Sequence, residues 1–104
     1  MTIREKILEL ASEDYYGLWE LVWAARPLVP EDYSDEQTRD AVQAHLSQLI
    51  SSGLVTIFRE AGGEMLTVPE KEALMIIKSP TLWREPSGAA VAYRVAVTSR
   101  APAP

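Results

Sequence analysis

The 104-residue chain has no cysteine, so a disulfide framework, thiolate chemistry and a cysteine-held zinc are all excluded. It has one histidine, His45, and no second ligand at a metal-binding spacing from it. His45 is therefore expected to be structural or at the surface, not a metal ligand or general base. No apolar run approaches the roughly 18 residues of a membrane span. The start, "MTIREKILEL", carries mixed charge and lacks the basic and apolar regions of a signal peptide. These features fit a cytoplasmic protein without membrane contact.

Basic residues are scarce in the first half. Residues 1–52 hold four (Arg4, Lys6, Arg26, Arg39) against ten acidic side chains, a net −6, whereas residues 53–104 are close to neutral at +1. Non-specific affinity for nucleic acid comes from Lys and Arg neutralising phosphates. The N-terminal half has the wrong sign for that. Apolar residues make up 47% of the chain, enough for one modest core at this length. A single domain is expected over residues 1–98, with a loose tail at 99–104.

Local signals divide the chain into elements. Thr2 and Glu5 form a capping box ahead of a helix over about residues 2–11, on which Ile3, Ile7, Leu10 and Ala11 recur at helical spacing. Tyr15 and Tyr16 fit a short extended piece. "GLWELVWAAR", residues 17–26, predicts a second helix stopped by Pro27. Leu18, Leu21, Val22 and Ala25 share one of its faces, and Trp19 and Trp23 make a second apolar stripe. That leaves too narrow a polar face for an ordinary surface helix. Either the segment around Trp83 covers the second stripe or another chain does.

Ser34 and Gln37 form a capping box for a third helix over 35–52, ended by Gly53. "LVTIFRE" and "EMLTV" predict a hairpin around "AGG". "EKEALMIIK" reads as a short helix, although "LMII" also suits a strand. "AAVAYRVAVT", 89–98, alternates like a strand, and its exposed edge would allow pairing with a second copy. The fold class is α+β.

Three helices followed by a hairpin, carried by "TRDAVQAHLSQLISSGLVTIF", resemble the winged helix-turn-helix superfamily over about residues 2–68. The resemblance implies a third helix that enters the DNA major groove and a wing that touches the backbone. On that reading Arg39, Gln43, Ser47 and Arg59 are the candidate DNA contacts, and the chain is a small transcriptional regulator. The outward face of the third helix, however, holds Glu36, Asp40, Gln43, Ala44, Ser47 and Ser51 without a cation, and Glu60 and Glu64 offset Arg59.

Catalytic signals are weak. The pairs Glu13–Asp14, Glu31–Asp32 and Asp35–Glu36 lie at or before helix starts, where negative charge suits the helix dipole. The glycines of "EAGGE" join two strands and do not open a helix as a phosphate loop would. No serine has a histidine at a suggestive position. Lys71, Lys78, Arg84 and Arg94 make at most a small basic patch of ordinary solvated charges. The leading expectation is a non-catalytic module, without cofactor or metal, acting through a protein partner or as a homodimer. Its candidate contact residues are Tyr16, Trp19, Trp23 and Tyr93.

Overall fold

The structure, a computed structural model, describes residues 1–85 and 92–100. Helix α1 spans Ile3–Glu13. Its capping box forms as the sequence predicts: the Glu5 N–H donates to Thr2 Oγ1 at 3.1 Å, and the Thr2 N–H donates to Glu5 Oε1 at 3.0 Å. Strand β1, Tyr16–Gly17, is the expected extended piece and leads directly into α2, Leu18–Ala25. Pro27 does end the α-helix, but the chain continues through a single 3-10 turn, Arg26–Leu28, whose first positions accommodate the proline.

Helix α3, Asp35–Ser51, is capped by Ser34 and Gln37. Gly53 closes it at φ +75°, the left-handed conformation that glycine adopts without a Cβ penalty. Strands β2, Val55–Ala61, and β3, Glu64–Thr67, follow as a hairpin. Gly62 and Gly63 both have positive φ, as a tight two-residue hairpin turn requires. Residues Glu70–Ile76 form helix α4, which settles the helix-or-strand ambiguity of that segment. Strand β4, Ala92–Val97, precedes a 3-10 turn, Thr98–Arg100. Ser99 and Arg100 lie in that turn. Thr98 anchors it, donating from its N–H to the Leu54 carbonyl at 3.2 Å and from Oγ1 to the Gly53 carbonyl at 2.7 Å. The strand expectation at 89–91 and the tail at 101–104 lie outside the described residues.

Among the described residues the strands form one antiparallel sheet in the order β1-β4-β2-β3. This corrects the expectation of an exposed last strand, because β4 lies inside the sheet between β1 and β2. The physical reason is that β4 buries apolar side chains on both faces. Val95 faces the helices with its cross-strand partner Ile57, while Ala92 and Ala96 are buried on the other side. A strand buried on both faces belongs in a sheet interior. On the helix side, Ile7, Leu21, Leu46, Leu49, Ile57 and Val95 share one core. On the far side Phe58 is fully buried, with the Tyr15 ring edge-on to it at 5.0 Å between centroids. Helix α4 packs against α3 and β2. Among the described residues no helix is long and apolar enough to cross a membrane.

Candidate functional site

The two tryptophans of α2 have different environments. Leu18, Leu21 and Ala25 are buried in the core. Trp19 is half-buried and lies across Gly17, so closely that a Cβ at that glycine would clash with the indole ring. The Arg94 guanidinium lies 5.4 Å from the Trp19 ring centroid, within cation–π range. Arg94 is itself held: Nε donates to Glu60 Oε2 at 2.5 Å, and a terminal nitrogen reaches Glu20 Oε1 at 3.5 Å. Glu20 Oε1 also accepts from the Gly17 N–H at 3.0 Å. One residue therefore closes the start of α2 and positions the arginine that holds Trp19. Trp23, one turn later, is 59% exposed.

Both indoles line a groove of about 610 Å³ between α2, the start of α3 and the turn Pro80–Trp83. Val22, Pro80 and Trp83 supply the rest of its apolar lining. Trp83 is turned inward, with its Nε1–H donating to the Ile77 carbonyl at 2.7 Å. It forms a wall of the groove and leaves Trp23 uncovered. The second stripe of α2 is thus divided, with Trp19 covered from within the chain and Trp23 open to water. The charged lining is balanced in sign. Arg26 pairs with Asp35, and Arg39 lies 3.8 Å from Glu36 and 3.6 Å from Asp40. Arg84 and Glu85 complete it, both exposed.

The other two candidate contact residues lie elsewhere, so the expected set of four does not converge. Tyr16 sits on β1 opposite Val95 and packs against the core. Its phenol donates to Glu13 Oε2 at 3.4 Å. Burial raises its pKa above the ordinary tyrosine value, and the Glu13 carboxylate adds to the shift. Tyr93 pairs with Arg59 across β4 and β2, beside a crevice of about 140 Å³ that Leu66 and Glu72 also line.

The candidate DNA contacts are also dispersed in character. Arg39 is engaged by its acidic neighbours, and Gln43 and Ser47 are half-buried on a flank of α3. The face of α3 that is open to water carries Gln37, Asp40, Ala44, Gln48 and Ser51. It is rotated from the sequence expectation, with Gln43 and Ser47 half-buried and Gln37 and Gln48 exposed instead. This face has a carboxylate and no cation. Arg59 is exposed on the hairpin. Arg94 is removed from the small basic patch by its two carboxylates. His45 is half-buried, and its Nδ1 has no hydrogen-bond partner among the described residues. No three His, Asp or Glu side chains gather as a metal site among those residues.

Sequence reasoning missed Pro80 and the Arg26–Asp35 pair as parts of the groove. The excess apolar surface of α2 signalled a contact there, with the segment around Trp83 as one candidate cover, but no local pattern pairs Arg26 with Asp35 or places Pro80 on the opposite wall. Compared with known proteins, the chain matches no family model, no curated protein and no solved structure.

Proposed function

We propose that the chain is a non-catalytic, winged-helix-like module that works through protein–protein contact at the α2 groove. The observation that carries this reading is Trp23, 59% exposed on a groove whose remaining apolar lining includes Trp19 and Trp83. An aromatic side chain left in water beside an apolar concavity fits a contact surface, and tryptophan is among the residues enriched at the centres of such surfaces. The winged-helix part rests on the order helix, short strand, two helices and hairpin. The non-catalytic part rests on the groove's ionisable groups. Arg26 and Arg39 are engaged with neighbouring carboxylates and do not face one another around an open reacting position.

The alternative is a DNA-binding transcriptional regulator using α3 and the hairpin. The element order favours it, whereas the cation-free outer face of α3 does not. A photo-crosslinking amino acid in place of Trp23, compared with one in place of Asp40, separates the two in producing cells. The expected result is a discrete protein adduct from position 23 and none from position 40. Nucleic-acid adducts from position 40, with none at 23, would overturn the reading.

A further inference from the structure

We infer that the occupant of the α2 groove is the same groove on a second copy of the chain, paired about a two-fold axis near Trp23. This rests on the protein-contact reading above and commits it to one partner. The argument begins with charge. The groove lining holds three arginines and three carboxylates, Asp35, Glu36 and Glu85, so it is locally neutral on a chain of net charge −5. Four of those charges, Arg26, Asp35, Arg39 and Glu36, are paired within the chain, so a peptide of one sign meets one attractive and one repulsive charge, at Arg84 and Glu85. A second copy avoids the repulsive contact, provided opposite charges exchange across the axis.

Arg84 and Glu85 supply that exchange. They are adjacent, opposite in sign, exposed, and in no ion pair among the described residues. In an isologous interface, residue i of one copy meets residue j of the other and j meets i. Adjacent unpaired charges of opposite sign satisfy that rule where the axis passes beside them, giving two Arg84–Glu85 contacts per dimer on the groove that Trp23 lines. The competing route to self-association, strand pairing at a sheet edge, has little to offer. The edge strands are the two residues of β1 and the four of β3, with Pro69 just beyond the latter.

Sedimentation velocity of the purified full chain across the micromolar range tests this. The expected result is a concentration-dependent shift from the 11.6 kDa monomer towards twice that mass. Trp23→Ser should raise the dissociation constant by about tenfold or more, as loss of a central aromatic does. Arg84→Glu should raise it several-fold by placing like charges at both contacts, and adding Glu85→Arg should reverse that increase. All three positions are exposed, and circular dichroism of each variant establishes that it is folded. A strict monomer at every concentration overturns the inference, as does a dimer that all three variants leave unchanged. A monomer in solution together with a position-23 crosslink to a protein of different mass also overturns it, while leaving the protein-contact reading standing. Failure of that reading itself appears as the absence of any position-23 adduct.

Discussion

Gly17 shows how one residue's size can hold an aromatic side chain in place. Its φ is −65°, an ordinary value, so the requirement is for space and not for backbone freedom. Gly17→Ala should destabilise the fold by about 1–3 kcal/mol, the usual cost of overpacking, because the Trp19 ring must leave its seat under Arg94. In a Trp19→Ala background the same substitution should cost much less, since the two effects share one contact. Urea melts of the four proteins in the cycle measure this, and equal costs in both backgrounds would refute it. Tyr16 gives a pH signature. Its raised pKa means that the folded state holds the phenolic proton more tightly than the unfolded state. The resulting stability is fully present below the ordinary value of about 10 and is lost as pH rises through the folded-state value. Titration of tyrosinate absorbance should show a late-ionising phenol that Tyr16→Phe removes. An unchanged titration tail in the variant would contradict the assignment.

At the scale of elements, helix starts and turns follow from neighbours in sequence and were legible there. Ser34 caps α3 through the Gln37 N–H at 3.1 Å, and Gly53 ends the helix, as the residue types demand. Ser34→Ala should cost about 1 kcal/mol, with the melting temperature of the full chain as readout. No loss would mean that the cap is redundant with the tertiary packing of α3. Features that depend on distant pairing were not legible. The place of β4 between β1 and β2 depends on partners such as Ile57 for Val95, far apart in sequence. Alternation in "AYRVAV" predicts a strand, but only the burial of Ala92 and Ala96 on the second face shows it to be interior. The same holds for Arg94, which looked like a free surface cation and is committed to Glu20 and Glu60. Of the four residues expected to form a contact surface, the two related by helical spacing, Trp19 and Trp23, do lie together. Tyr16, an aromatic just ahead of α2, and Tyr93, on the last strand, do not join them.

For the whole molecule, the distribution of charge bears on the two proposed uses of the scaffold. The N-terminal half, which contains α3, is net −6, and the open face of that helix adds a carboxylate where a DNA reader presents cations. The apolar surface lies instead on the α2 side, bordered by charges that cancel. Element order alone suggests DNA; side-chain chemistry suggests a protein partner. Fluorescence anisotropy of labelled random duplex DNA, titrated with the full chain at low and at physiological salt, separates these uses most directly. The expected result is no saturable rise at physiological salt. Tight saturable binding whose affinity falls steeply with salt would contradict the assignment of function to the α2 groove.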